Sequence, residues 1–481
     1  MENPSWVKYL TEEVLERKQE SYVCASGISV SGVLHVGKLR DVYIANSIHR
    51  FLQRNSRKSK LVYFIDDFDR LKKKPKGLPS YFEVHVGKPY SLVPDPCEDH
   101  SSFVEHYLSG FIDSLSKLGI EPELIWESER YRDNFYAEEI RTIYDNRKKI
   151  VKIVNSIRNA PSRKFDESRL FVTYCPECEK DNPKNKHITN NGLVGLDCNC
   201  GYSGFIDILN GSNVKLSWIV NWPARWNTEG TDFEPIGPDH SAPQGAFEVS
   251  SVIAREIFGI IPPVISQYEF IKIRGGRKLS SSGVAVSLED YLEIYEPRII
   301  HYLFSKRPNQ SLSIVSGDEV GEIYDRYDRI REVELPSFRR IVSTLNKFCL
   351  DTKRTEEELL PESANPQDLE SRISKARNWI DNHAKRLVSF KIRTSPGEVK
   401  LTSKEYLVLQ SIYRDLDSSM SPEKVEERVF RYCKDLGIQP REFFPVLYSI
   451  IFGTNRGPRI SRVIHDNREK VQPLLRDALR K

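Results

Sequence analysis

An apolar run, SYVCASG, begins at Ser21, and a second, KLVYFI, begins at Lys60; a loop of small residues and a helix-patterned stretch separate them. Neither run alternates between apolar and polar residues, so each reads as a strand buried on both faces. The stretch LRDVYIANSIHRFL places Leu39, Val42, Ala45, Ile48 and Leu52 on one helical face. Strand, helix and strand in this order predict a parallel sheet with a crossover helix, because parallel neighbours cannot be joined by a tight turn. Ligands of such sheets bind at the carboxyl ends of the strands. The loop ISVSGVLHVGK after the first run, and Asp66, Asp67 and Asp69 after the second, lie at such ends.

The rest of the chain divides by character. An irregular segment, GKPYSLVPDPCEDH, precedes a helix with Val104, Tyr107, Leu108, Phe111, Ile112 and Leu115 at helical spacing. A strand, ELIWES, and a helical stretch over about 133–158 follow. Residues 171–207 read as a small insert of turns and hairpin around cysteines, and the α/β pattern returns over 215–275. Beyond about residue 310, charge-laced helical stretches such as PQDLESRISKARNWIDNHAKRLVSF dominate, so 311–481 reads as all-helical. No internal repeat of fixed period is present. No apolar run reaches the roughly 18 residues of a membrane helix. The opening MENPSWVKYLTEEVLERK lacks the basic-then-apolar order of a secretory signal, so a cytoplasmic protein with no membrane partner is expected. Net charge is only +4, but Asn455 to Lys481 carries eight Lys or Arg against three acids. That balance suits either a nucleic-acid contact or a solvated helix face.

Eight cysteines are too few for a disulfide framework in 481 residues. Four of them crowd into CPECEKDNPKNKHITNNGLVGLDCNC, with Cys175 and Cys178 on one turn and Cys198 and Cys200 on another. Two thiolate pairs on two hairpin tips can surround one tetrahedral zinc, and an all-thiolate set suits a structural ion. The second pair is CxC rather than CxxC, and His187 is an alternative ligand. PDPCEDHSSFVEH gathers Asp95, Cys97, Asp99, His100 and His106, residue types that also bind zinc. Their irregular spacing equally fits a surface turn with ordinary histidines.

The loop before the first helix fits neither GxxxxGK[ST] nor GxGxxG. Its small residues allow close approach to a phosphate, and the helix N-terminus attracts anions. A second loop of similar character, RGGRKLSSSG (274–283), follows the apolar EFIKI. Its Lys278, Ser280, Ser281 and Ser282 supply a cation and donors able to close over a triphosphate. Either loop alone reads as an ordinary solvent loop. An early His-x-Gly and a late Lys-x-Ser-x-Ser on a βαβ pattern together resemble the HIGH and KMSKS pair of class I aminoacyl-tRNA synthetases.

The resemblance extends further. ASGISVSGVLHVGKLRD, FIDDFDRLKKKPKGLP, NWPARWNTEGTDFEPIGPDHSAPQGAFE, IAREIFG and KLSSSG look like the archaeal-type class I lysyl-tRNA synthetases. The likeness is dense over the catalytic half and looser over the helical half, and WIVNWPARW and GPDH are its most specific parts. It implies a Rossmann-type α/β catalytic domain over 1–310 containing an inserted acceptor-end and zinc region at about 80–210. An all-helical anticodon-binding domain over 311–481 would follow. The implied reaction is activation of L-lysine by ATP with Mg²⁺, then transfer to tRNA(Lys), by a chain expected to be a monomer. His35 and Lys278 would be catalytic; Ser31, Gly32, Gly37, Lys38, Ser280, Ser281 and Ser282 would join them around ATP, Gly37 leaving room for the nucleotide. Gly27, Trp218, Asp239, His240 and Tyr268 would contact the substrate. Zn²⁺ is implied at Cys175, Cys178, Cys198 and Cys200, and at a second site of Asp95, Asp99, His100 and His106. There Asp99 stands in the place of the family's cysteine, and Cys97 lies two residues earlier. Lys38 stands where the family has Asn, and is either a further phosphate contact or the first exposed residue of the helix. Gly283 replaces a lysine after the serines, which leaves the phosphate contact to Lys278, with Arg274 and Arg277 as helpers.

Selecting lysine requires an acid for its ammonium and an apolar wall for its methylenes. Trp218, Trp222, Trp226 and Tyr268 are candidates for the wall; Asp232, Glu234 and Asp239 are candidates for the acid. The nearest alternative is a glutamyl-type class I synthetase, whose pocket needs arginine instead. A non-catalytic tRNA-binding paralogue would have no use for His35, Gly37 and Lys278. A small-molecule nucleotidyltransferase would have none for a long helical half with a basic end.

Overall fold

Tyr22 to Ala25 are buried along the strand Ser21–Ile28 (β1), which forms the centre of the main sheet. The structure is a computed structural model that describes residues 4–158, 164–181, 183–209, 213–273, 277–278, 286–314, 317, 319–384, 390–397, 399–416 and 420–480. Lys58–Ile65 (β2) runs parallel to β1 along its whole length, from Ser21 opposite Lys58 to Ile28 opposite Ile65. Glu123–Trp126 (β3), Phe233–Ile236 (β4) and Val264–Gln267 (β5) complete a parallel sheet in the order β5-β4-β1-β2-β3. Val23, Ala25, Val62, Phe64 and Ile125 form one apolar cluster across it. The crossover helix, Leu39–Arg54, buries Leu39, Val42, Ala45, Ile48 and Leu52, the five positions its periodicity predicts. The strand order reverses between β1 and β4, so the crevice beyond their carboxyl ends is where a doubly wound sheet binds its ligand.

The segment between β3 and β4 holds an insert. The helical stretch expected over 133–158 is divided into Ala137–Asp145 and Arg147–Arg158. The break falls at Asn146, whose side chain donates to the carbonyl of Thr142 at 2.9 Å and so competes with the helical ladder. The cysteine region is a three-stranded antiparallel sheet, Pro183–Ile188, Leu193–Cys198 and Ser203–Asp207, rather than a hairpin. Val194, Leu196 and Ile206 of this sheet share one core with Ile143, Ile150 and Val154 of the helices and with Ile219 and Val220 of the helix Trp218–Glu229. Insert and main sheet are therefore built around the same helix.

Two compact units make up the chain, Met1–Leu292 with Ile300–Ile314, and Glu293–Ile299 with Val315–Lys481. Leu312–Ile314, expected to open the helical region, is instead a strand parallel to Ile271–Ile273 in the first unit. Three residues are too few to show a strand period beside long helical stretches. In the second unit, Arg372 is fully buried and paired with Asp328 at 2.6 Å and Glu296 at 3.4 Å. Its last five helices, Ser403–Asp415, Pro422–Asp435, Pro440–Phe452, Ile460–Asp466 and Arg468–Leu479, pack around Val408, Val429, Leu447, Ile464 and Leu475. No described helix is long and apolar enough to cross a membrane.

Candidate active site and metal centres

His35 caps the short turn Val36–Lys38 that leads into the crossover helix, its Nδ1 accepting from the backbone N–H of Gly37 at 3.1 Å. Burial, and then the charge of Lys38, push its pKa down to about 4. The imidazole is therefore neutral near pH 7, and with Nδ1 used as an acceptor its proton sits on Nε2, free to donate to an oxygen such as a phosphate. The charge of Lys38 also bears on Asp41 and His240. Lys38 therefore lies close to both of these groups.

The backbone of Val36 donates to the carbonyl of Val286 at 2.9 Å, and His35 pairs with Ser287. The early loop is thereby joined to the segment that follows KLSSSG. Arg277–Lys278 is a short strand antiparallel to Ile271–Ile273, with Lys278 opposite Lys272. Arg274, Ser280, Ser281, Ser282 and Gly283 lie outside the described residues.

At the carboxyl end of β4 the turn Gly237-Pro238-Asp239-His240 reaches the same crevice. His240 packs against two indoles, 5.7 Å from Trp218 and 5.5 Å from Trp222 by ring centroids, and the indoles stack on each other at 4.8 Å. Tyr268, just past β5, is pressed against the turn: a Cβ on Gly237 would stand 3.2 Å from its hydroxyl. Among the acids expected to take an ammonium, Asp232 is spoken for, accepting from Arg17 at 2.7 Å and from the backbone of Val23 at 2.9 Å, at the wrong end of β4. Glu234 accepts from the indole N–H of Trp222 at 3.0 Å and of Trp226 at 2.6 Å. Burial raises its pKa to about 7 against the pull of those donors. It fastens the aromatic wall rather than facing a ligand. Asp239 is exposed.

Sequence reasoning missed Asp41. It lies in the first turn of the crossover helix, and burial raises its pKa to about 6 although Lys38 is close. Its charge is felt by the buried phenols of Tyr63 and Tyr268. Beside it lies the hydroxyl of Ser26, close enough to bond the carboxylate, while the hydroxyl of Tyr63 and the indole N–H of Trp218 are buried without a hydrogen-bond partner among the described residues. Buried polar atoms normally find partners, so the orphaned Tyr63 hydroxyl, which feels the Asp41 charge, points to a polar ligand at this place. Its sequence signal was weak: an acid in a first helical turn is ordinary.

Below this pocket Arg225 pairs with Asp66 and with Glu127 at 3.0 Å, and Tyr136 donates to Glu127 at 2.8 Å. All are buried at the ends of β2 and β3. The guanidinium lies 5.3 Å from the Trp218 ring and supports it from beneath. Asp67 accepts from Ser128, and Asp69 from Lys215 at 2.5 Å, so the three acids after β2 are held by protein partners.

The thiols of Cys175, Cys178, Cys198 and Cys200 lie within 4.8 Å of one another, with Cys175–Cys200 and Cys178–Cys198 both at 3.6 Å. Zinc–sulfur bonds of about 2.3 Å at tetrahedral angles give sulfur separations of roughly 3.8 Å, so the set fits zinc. His187 is not in it; it lies on the exposed face over Gly195, edge-on to Phe205. The second set is corrected. Asp95, Cys97, His100 and His106 converge, with Cys97 Sγ 3.2 Å from His106 and 3.6 Å from His100, and Asp95 2.9 Å from His106. Asp99 is not among them; its backbone N–H instead points to the Cys97 sulfur. The left-handed backbone of Glu98 (φ 67°) turns the chain so that Cys97 takes the ligand position.

A doubly wound sheet with a histidine loop at its switch point, bonded to the Val286–Ser287 segment that follows the lysine- and serine-rich stretch, defines the catalytic unit of a class I aminoacyl-tRNA synthetase. The family model described as tRNA synthetases class I (K) matches residues 4–347. The lysine–tRNA ligase of Thermococcus kodakarensis is 31% identical, over 98% of this chain and 99% of its own. That of Pyrococcus horikoshii is 29% identical, over 95% and 96%. Among solved structures, a glutamate–tRNA ligase from Elizabethkingia meningosepticum aligns with a TM-score of 0.43 at 12% identity, covering 96% of this chain and 100% of its own. The chain belongs to the class I (K) tRNA synthetases.

Proposed function

We propose that the chain is a lysine–tRNA ligase, which joins L-lysine to AMP at the expense of ATP and passes the lysyl group to tRNA(Lys), releasing AMP and diphosphate. Asp41 carries the choice of amino acid: a carboxylate beside the Ser26 hydroxyl and the unpartnered, buried Tyr63 hydroxyl suits an ammonium group, with Trp218, His240 and Tyr268 flanking the methylenes. The arginines a glutamate pocket would need are committed elsewhere, Arg225 to Asp66 and Glu127, and Arg40 to the carbonyls of Arg307 and Pro308 at 3.1 Å. The lysine carboxylate attacks the α-phosphate in line, and pyrophosphate leaves. His35 donates through Nε2 to a phosphate oxygen, Lys278 and Lys38 offset the developing charge, and Mg²⁺ bound with ATP adds to them. A ribose hydroxyl of the terminal adenosine then attacks the lysyl carbonyl and AMP leaves. The helical unit is assigned to the anticodon and the protein to the cytoplasm.

ATP–pyrophosphate exchange across the amino acids tests the reading. Exchange with lysine is expected, and exchange with glutamate but not lysine would sink it. Zinc at the four-cysteine site would hold the turn at Cys175 and Cys178 to the turn at Cys198 and Cys200. Cys178→Ser is expected to lose one equivalent of zinc by elemental analysis, and to lower aminoacylation more than exchange. Full retention of zinc would refute the ligand set.

A further inference from the structure

Arg40, in the first turn of the crossover helix, is buried to 1% exposure. Its Nη2 donates to three backbone carbonyls, of Arg307 and Pro308 at 3.1 Å and of Gln310 at 3.4 Å. Its Nε and Nη1 are buried without a partner among the described residues. Burial pushes its pKa down to about 10. A guanidinium enclosed without a carboxylate costs stability, and an apolar side chain of similar volume would fill the space at less cost. Filling space therefore does not account for an arginine here; what it is attached to does.

The segment that Arg40 holds leads, two residues on, into the strand Leu312–Ile314. The carbonyl of Pro308 also accepts from the backbone N–H of Glu269 at 2.9 Å, just before the strand Ile271–Ile273. These two strands run parallel, with Ile271 opposite Leu312, and Ile271–Ile273 pairs along its other edge with Arg277–Lys278. One series of hydrogen bonds thus joins Arg40 to the backbone that carries Lys278. Val36 and His35 meet the chain again beyond Lys278, at Val286 and Ser287. The lysine-bearing segment is therefore tied to the head of the crossover helix on both sides, all within the first unit.

We propose that Arg40 is a positioning residue for the activation step, holding the strand pair that carries Lys278 at a set distance from His35. The proposal rests on the ligase reading, in which His35 and Lys278 act on the same phosphates from two separate loops. Two such groups stabilise one developing charge only if their separation is fixed before the reaction.

The test is a cycle of full-length variants, Arg40→Met, Lys278→Ala and the two together. Arg40→Met should lower the kcat of ATP–pyrophosphate exchange with lysine on the order of tenfold to a hundredfold, with the KM for lysine within about threefold of the parent. With Lys278→Ala already present, Arg40→Met should cost less than about threefold more, because residues that act through one another are not additive. A loss of the same size in both backgrounds would assign Arg40 to the fold at large, and a raised KM for lysine at unchanged kcat would assign it to the amino-acid pocket. Either result overturns the proposal, as does an unchanged rate. Should Arg40→Met not fold, Arg40→Gln is read in the same way, and failure of both to fold also overturns it. Lys278→Ala without effect on its own would remove that lysine from the chemistry and the proposal with it. A parent protein that shows no exchange with lysine would instead overturn the ligase reading itself.

Discussion

Asp41→Asn raises the KM for lysine in ATP–pyrophosphate exchange by roughly 30-fold or more, the 2–5 kcal/mol expected when one partner of a buried charge pair is removed. The KM for ATP should hardly change. Stability should not suffer either. Burial lifts the Asp41 carboxyl from its ordinary 3.8 to about 6. The folded protein without lysine therefore disfavours the ionised form, and this penalty grows as pH rises through 3.8 to 6 and is fully present at pH 7.5. An amide removes the penalty, so the melting temperature should stay level or rise. The ammonium of lysine should draw the pKa back down. In the parent, KM for lysine should therefore climb as pH falls through about 6, and Asp41→Asn should flatten that limb. His35, at about 4, does not titrate there, whereas Asp66 at about 6 and Glu234 at about 7 titrate in or near it. Comparison with the variant isolates the contribution of Asp41. An unchanged KM for lysine would return the ammonium to another acid.

How much of this was legible in the sequence differs from element to element. β1, the crossover helix and β2 were readable because uninterrupted apolar runs and a 3.6-residue period survive without tertiary context. The convergence of the four cysteines was readable because two close pairs of thiols have the spacing that suits one tetrahedral metal ion. Asp41 was not, because only the enclosing Ser26, Tyr63 and Tyr268 distinguish it from any acid at a helix start, and Tyr63 and Tyr268 are far from it in sequence. Glu234 was placed among the candidate acids for the right chemistry and the wrong partner: its carboxylate is used by two indoles one helix away. Cys97 and Asp99 are two residues apart, and it takes the folded turn, with its left-handed Glu98, to show that Cys97 reaches the histidines.

The aromatic wall of the pocket depends on charges that the substrate never touches. Arg225→Met leaves Asp66 and Glu127 buried without their cation. Breaking a buried pair in this way costs about 3–5 kcal/mol, because the penalty is the uncompensated charge rather than the lost attraction. Asp66 already stands at about 6 with Arg225 in place, burial outweighing the guanidinium. Without Arg225 it should rise further. A carboxyl whose folded pKa exceeds its unfolded value destabilises the fold increasingly as pH rises between the two values. The deficit of the variant by denaturant midpoint should therefore be larger at pH 8 than at pH 5.5. Adding Asp66→Asn and Glu127→Gln should recover most of the stability at pH 8, since the triple variant buries no net charge. It should not recover the KM for lysine, because the Trp218 ring still lacks the guanidinium beneath it. A loss that is equal at both pH values and is not rescued in the triple variant would show that Arg225 acts through its packing alone.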